Sequence, residues 1–315
     1  MLTWAVPAAR ARLTNLVTCA RKASRKPSRA HQVPDVTAFL VFASQRPFAI
    51  SPCCDVFKAQ HPTDGPVVVR RIRFQDDDEN ACNSKLQTCA SRLVLARDVH
   101  VLAYIGTCHH DRSLCLVSPF ATGGNLNNYL RLHPDCDRLS LVRQVADGLT
   151  YLHRSSIVHG KIHTRNIVLD QSGTVKLCDF GISELIPDDG TTSMRPAFAR
   201  EKAMYHAPEL HVGAVLVAAC DVYSFGMLVF HVFCGREPMI EAYPQSIQVV
   251  AALLHGRRPE RMEITRPDFT ENLWNLSQRC WVEDMGSRPL MATVQLELRL
   301  GAAKAPRRPG RMWRQ

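Results

Sequence analysis

His159, Lys161, His163 and Asn166 stand within eight positions of one another, and Asp179 follows in the run Cys178-Asp179-Phe180-Gly181. Such side chains transfer protons, hold anions or ligate cations, and their types restrict which of these is open. Lys161 is protonated at neutral pH and offers three donors and no acceptor, so it can hold an anion but cannot take a proton from a hydroxyl. His163, with an ordinary pKa of about 6.5, is the group in the run that could. Asn166 and Asp179 bring side-chain oxygens. The segments that must carry these groups are apolar. Ser140 to His153 upstream and Val222 to Phe233 downstream have the length and period of large buried helices.

The chain has 315 residues, of which 46% are hydrophobic, enough to bury a large core. That length fits one two-lobed domain with short tails. Net charge is +10, yet residues 1 to 34 hold seven Lys or Arg and no acid, and 301 to 315 hold five and no acid, which leaves 35 to 300 near −2. Basic ends can attract nucleic acid or an anionic membrane, and read equally as solvated extensions. The Arg-rich, acid-free start is compatible with a mitochondrial transit peptide, and Ser24-Arg25-Lys26-Pro27-Ser28-Arg29 with a nuclear-type basic cluster or disorder. No apolar run follows a charged start as in a secretory signal, and none approaches the 18 residues or so of a membrane span. The twelve cysteines contain no C-x-x-C pair, which argues against zinc and redox frameworks. Cys108-His109-His110, three consecutive residues expected in a loop, would not converge on one ion. The expected state is reduced thiols in an intracellular, cytoplasmic protein, with mitochondrial and nuclear placement left open by the N-terminus.

Taken in order, these segments resemble a protein kinase. Residues 158 to 169 follow the catalytic-loop pattern His-Arg-Asp-x-x-x-x-Asn, Asp179-Phe180-Gly181 the metal-binding turn, and Ala207-Pro208-Glu209 the end of an activation segment. Asp221-Val222-Tyr223-Ser224-Phe225-Gly226, Cys280-Trp281 and Arg288-Pro289 follow in register. Upstream, Leu116 to Phe120 and Gly123-Gly124-Asn125-Leu126 look like the strand, hinge and next helix of the tyrosine-kinase-like group. The resemblance covers roughly 37 to 300. It implies an α+β, bilobal fold, with a small β-rich lobe over about 37–118 and a larger helical lobe over about 122–300. Residues 1–36 and 301–315 are then basic extensions.

The resemblance also assigns roles, and several positions depart from them. Lys161 falls where the base Asp should be, and His163 where a Lys usually meets phosphate. Asn166 and Asp179 match the magnesium ligands. Val56, Val68, Phe120 and Ala121 match the adenine site, and Arg70 the strand Lys that contacts phosphate. His159 and Phe180 match a buried spine, Asp221 the carboxylate that caps the catalytic loop, and Glu209 with Arg288 a buried ion pair. With Asp55 to Ala59 read as the strand after the glycine-rich loop, Ala49, Ser51 and Cys54 occupy the glycine positions with Pro52 among them, and residues 1 to 64 contain no glycine.

The helix that should offer Arg70 a Glu, placed across Cys82 to Ala96, has no acid, since none lies between Glu79 and Asp98. Arg70 could pair with the Asp76-Asp77-Asp78-Glu79 cluster instead, although that run reads first as a solvated loop. Glu201-Lys202 replaces a Gly-Thr pair, which brings Lys202 toward Lys161, and Lys161 could bridge to Asp179 in partial replacement of a magnesium ion. The expectation is weak ATP and magnesium binding, lost or severely impaired phosphotransfer, and a protein partner held by a binding or scaffolding module. The alternatives are an active Ser/Thr kinase, and nucleic-acid or anionic-lipid binding through the tails.

Overall fold

A computed structural model of the chain describes residues 33–50, 54–74, 78–182, 203–239 and 241–303. The first lobe is an antiparallel sheet. β1 (Val41–Phe42) and β2 (Ala49–Ile50) both pair with β3 (Cys54–His61), Val41 opposite Gln60 and Ala49 opposite Val56. β4 (Gly65–Ile72) lies alongside, its Val67-Val68-Val69 run buried, as stiff β-branched side chains suit a covered strand.

Helix α1 (Glu79–Leu93) starts three residues before the predicted Cys82, because the Asp78 carboxylate accepts the N–H groups of Asn80 and Ala81 and caps it. It stops at Leu93, before the predicted Ala96. Its buried stripe is Cys82, Leu86, Cys89, Ala90 and Leu93, without a charge. β5 (Gly106–His110) and β6 (Ser113–Pro119) complete the sheet, in the order β1-β3-β4-β6-β5. Their hairpin turns through Asp111 and Arg112, both at positive φ, as a two-residue turn matching strand twist requires. Cys108, His109 and His110 thus belong to a strand and not a loop. Cys108 and His110 are buried on one face and His109 is exposed on the other.

The described residues begin ahead of the boundary expected at 37. Val33 and Val36 are buried, Val36 donates its N–H to the Thr107 carbonyl, and Thr107 donates to the Pro34 carbonyl. A Cβ on Gly106 would lie 2.3 Å from the Pro34 oxygen, so glycine there is a condition of this close approach.

The second lobe holds α2 (Leu126–Leu132), α3 (Arg138–Arg154), the hairpin β7 (Ile167–Leu169) and β8 (Val175–Leu177), α4 (Pro208–His211), α5 (Ala218–Cys234), α6 (Ser246–Leu254), α7 (Glu271–Cys280) and α8 (Met291–Ala303). The two predicted apolar helices exist as α3 and α5, each longer than its apolar run. α3 begins on the Asp137 cap, whose carboxylate takes the Ser140 N–H. α5 is apolar on every side and buried from Cys220 to Phe233. Gly226 lets α7 close on it, since a Cβ would sit 2.9 Å from Cys280 Cβ. α8 runs to Ala303, past the expected boundary at 300. No helix among the described residues is long and apolar enough to cross a membrane.

Glu209 and Arg288 form the ion pair the resemblance implied. Arg288 Nη1 and Nη2 reach Oε1 and Oε2 at 2.5 and 2.9 Å, and the guanidinium also donates to the Val282, Glu283 and Ala219 carbonyls. It lies 5.0 Å from the Tyr223 ring centre. Removing one partner of such a pair strands a buried charge, a loss of about 3 to 5 kcal/mol. Glu209→Ala should therefore lower the melting temperature or soluble yield far more than Lys161→Ala. Similar melting temperatures would show that the pair is not a principal support.

Buried His231 bonds to the Tyr205 hydroxyl. Burial, then the Arg138 charge, brings its pKa down from 6.5 to about 4. The unfolded chain thus binds the proton first as pH falls. Its contribution is complete above about 6.5 and is lost on acidification toward 4. Denaturant unfolding should give falling stability from pH 7 to pH 4, with a shallower slope in His231→Asn than in the parent. Equal slopes would contradict a neutral buried imidazole.

Candidate nucleotide site

The catalytic-loop segment is held from below by α5. Asp221, 1% exposed, accepts the N–H groups of His159 and Gly160, each at 2.8 Å, and lies 2.9 Å from His153 Nε2. Asn166 closes the loop from the other end, donating from Nδ2 to the Lys161 carbonyl at 3.0 Å, while Cys178 N–H reaches the Asn166 carbonyl at 3.0 Å. The Asn166 side-chain oxygen is left as the atom that could meet a cation.

At the following turn Asp179 and Gly181 adopt φ of 60° and 71°. A Cβ on Gly181 would approach Leu93 Cδ2 to 2.6 Å, so the turn and α1 pack directly. Cys89 Sγ donates to the Gly181 carbonyl at 3.8 Å. Phe180 is fully buried, its ring 5.1 Å from that of Tyr104. His159 is fully buried as well, and the Gly181 N–H reaches its carbonyl at 3.4 Å. His159, Phe180 and Asp221 are thus all buried.

Arg70 has a different partner from the one anticipated. Its guanidinium is ion-paired with Asp179 and donates from Nη1 to Ser118 Oγ at 2.7 Å. The Asp76–Glu79 cluster does not hold it: Asp78 caps α1, Glu79 is exposed, and Asp76 and Asp77 lie outside the described residues. Nor does Lys161 provide the cation on Asp179; among the described residues that cation is Arg70. A planar fork on a long stem can engage a carboxylate and a hydroxyl together where an ammonium offers one point of charge. Burial is the largest influence and opposes the guanidinium charge, but the Asp179 carboxylate together with Cys178, Tyr104 and Cys54 leaves the Arg70 pKa raised. One of the two candidate magnesium ligands, Asp179, is thus ion-paired with a guanidinium in this arrangement.

His163 is similarly altered. Burial first, then His159, Lys161 and Arg165, bring its pKa down to about 3. Its ring lies 6.1 Å from that of Tyr205. At neutral pH it is neither a cation for phosphate nor a base strong enough to take a hydroxyl proton. Lys161, half-buried, stands on the same loop with no acceptor to offer.

Four residues are expected from the resemblance to line the adenine site. Val56 and Val68 lie on adjacent strands, with Val56 opposite Arg70 and Val68 opposite both Lys58 and Ser118. Phe120 N–H reaches the Pro66 carbonyl at 2.9 Å, and half-buried Ala121 follows it. Two features escaped the sequence reading. Lys58 Nζ sits 4.8 Å from the Phe48 ring centre and 4.5 Å from that of Phe120, joining β3 to the residue just before β2 and to the segment between the lobes by cation–π contact. Val168, half-buried between buried Ile167 and Leu169, bridges to Asn125. Strand alternation in Ile167-Val168-Leu169 was the available signal for it. Of the replaced glycine positions, Ala49 and Cys54 fall in the β2–β3 hairpin; Ser51 and Pro52 lie outside the described residues, as do Glu201 and Lys202.

Residues 53–298 match the family model for protein tyrosine and serine/threonine kinase. Among curated relatives, serine/threonine-protein kinase STY17 of Arabidopsis thaliana is 27% identical over 63% of this chain and 34% of its own length. A putative serine/threonine-protein kinase/receptor, R831, of Acanthamoeba polyphaga mimivirus is 32% identical over 64% of this chain and 12% of its own. The seven transmembrane domain-containing tyrosine-protein kinase 1 of Dictyostelium discoideum is 29% identical over 72% and 33%. The chain therefore spans about a third or less of the length of these relatives. The chain belongs to the protein tyrosine and serine/threonine kinase family.

Proposed function

We propose that this domain is a pseudokinase: a kinase fold retained as a binding or scaffolding module for another protein, with phosphotransfer lost or severely impaired. The observation that carries the reading is the Arg70–Asp179 ion pair, which gives the metal-binding carboxylate a permanent internal cation. The rest of the site points the same way. Lys161 replaces the base, whose loss alone slows catalysis by about 10² to 10⁴-fold. The buried stripe of α1 offers Cys89 and no acid toward the turn. Ala49 and Cys54 stand where glycines would let backbone N–H groups approach phosphate. The names of the relatives favour a second reading, a working Ser/Thr kinase, and the two differ in what nucleotide does.

Nucleotide binding should be weak and largely independent of magnesium. A ligand at 100 times its dissociation constant stabilises by about 2.7 kcal/mol, so a thermal-shift titration with ATP in EDTA and in magnesium would register it. Coincident, shallow curves are expected. A clear magnesium-dependent shift at millimolar ATP would overturn the reading.

Restoring the carboxylate should not restore a kinase. Lys161→Asp supplies an acceptor but leaves Arg70 on Asp179, so phosphate incorporation into generic Ser/Thr substrates should stay at background. Robust turnover by the unmodified chain, abolished by Asp179→Ala, would instead establish the working kinase.

A further inference from the structure

The two faces of the first-lobe sheet carry different side chains. Phe57, Ala59, Val67 and Val69 belong to the packed core of that lobe. Val56, Lys58, Val68 and Arg70 alternate with them and stand opposite one another across β3 and β4, Val56 with Arg70 and Lys58 with Val68, so they share the other face. From that face Arg70 reaches Asp179 and Ser118, which makes it the roof of the cleft. Lys58 is therefore a second cation on the roof. It is exposed and, unlike Arg70, has no carboxylate partner among the described residues. Its ammonium is placed instead against two rings, 4.8 Å from the centre of Phe48 and 4.5 Å from that of Phe120.

The two rings also meet each other, edge to face, with centroids 6.3 Å apart. They come from different segments. Phe48 directly precedes β2 and is fixed to β3 by its N–H on the Val56 carbonyl at 2.9 Å, while Phe120 directly follows β6 and is fixed to β4 by its N–H on the Pro66 carbonyl at 2.9 Å. Val56 and Ala121, both expected to line the adenine site, thus each adjoin one half of the contact. A flat ring passed between Phe48 and Phe120 would need their centroids about 7 Å apart, the sum of two carbon contacts of about 3.5 Å. At 6.3 Å the passage between them is shut. The forces that shut it are small, since cation–π contact at an exposed site is weak and Phe48 is 50% exposed, so the rings can part.

We propose that Phe48, Lys58 and Phe120 form a clasp across the mouth of the cleft, which a planar heteroaromatic ligand has to open to reach Val56, Val68 and Ala121. The Lys58 charge is what holds the two rings together, because the one ammonium serves both. While the clasp is closed only a fraction of molecules can admit the ligand, and the apparent affinity falls by that fraction. Neither Asp179 nor Lys161 takes part, so the inference stands whether or not the cleft transfers phosphate.

The test uses the full chain with Lys58→Met, which keeps the apolar stem and removes the charge, and Lys58→Arg, which keeps the charge. Adenosine is the probe: it has a flat base and no phosphate, so its binding needs no magnesium at the Asp179 turn. Calorimetric titration should show adenosine binding roughly threefold to tenfold tighter to Lys58→Met than to the parent, with Lys58→Arg like the parent. Amide hydrogen exchange without ligand should be faster over residues 48–57 in Lys58→Met and unchanged in Lys58→Arg, because the Phe48 N–H loses its cover when the ring is released. Binding no tighter in Lys58→Met than in the parent, absence of binding in both included, would overturn the proposal. So would exchange over 48–57 that the loss of charge leaves unaltered, or Lys58→Arg behaving as Lys58→Met does, since the charge would then not be holding the rings. Weaker binding in Lys58→Met would also overturn it, by showing that these side chains grip the ligand instead of barring it.

Discussion

Asp221 sits inside α5, almost wholly out of water, and three hydrogen bonds surround its carboxylate: the N–H groups of His159 and Gly160 and the His153 ring. A carboxylate in such a place is tolerated only when its oxygens are satisfied. The partners are therefore tied to it as firmly as it is tied to them. Through His159 it fixes the start of the loop that carries Lys161 and Asn166. Through that loop it reaches the Asp179 turn, because Cys178 N–H bonds the Asn166 carbonyl and Gly181 N–H the His159 carbonyl. Phe180 and Tyr104 then continue the contact into the first lobe. The cleft is thus positioned by buried backbone bonds that do not depend on which side chains line it.

That separation explains how the loop can hold its form while its chemistry changes. The backbone of residue 161 is held at both ends: its carbonyl accepts from Asn166 Nδ2, and its own N–H reaches His159 Nδ1. A lysine fits there without disturbing the backbone. The same holds for position 70, whose strand pairing with Val56 and Leu116 is a main-chain matter. What changes at these positions is the electrostatic sign and reach of the side chains, and the Arg70–Asp179 pair is the result.

The parts of this arrangement that were legible in the sequence are those fixed by local pattern or by a short motif. The apolar runs became α3 and α5, and Asp221, Glu209 and Arg288 met the partners that their motif positions implied. The misplaced start of α1 came from reading its apolar stripe without its cap: Asp78 is a capping residue just before the helix, and the acidic run around it reads as solvated loop unless a cap is sought. Arg70 was misjudged for another reason. Its partner lies more than 100 positions away in sequence, and only the approach of the turn to β4 brings the guanidinium within reach. Cation–π contact of Lys58 with Phe48 and Phe120 was hidden in the same way, since nothing in the spacing of those three residues reports that two strands and the segment between the lobes converge. The burial of Val33 and Val36 was masked by a basic neighbourhood whose composition dominates any window that includes them.

The difference between a guanidinium and a magnesium ion on Asp179 is one of exchange. A bound metal equilibrates with solution and arrives with nucleotide, so a turn that needs it is ordered only when ligand is present. Arg70 is covalently part of β4, carries its charge at any physiological pH, and is held by Ser118 as well as by Asp179. Its effective concentration at the carboxylate does not vary. The turn that carries Asp179 also carries the buried Phe180 and the contact of Gly181 with Leu93 of α1. On the proposed reading, a fold held in this way suits presentation of a surface more than cycling of a substrate, because the ion pair at the turn is the one that would have to break for a metal to enter.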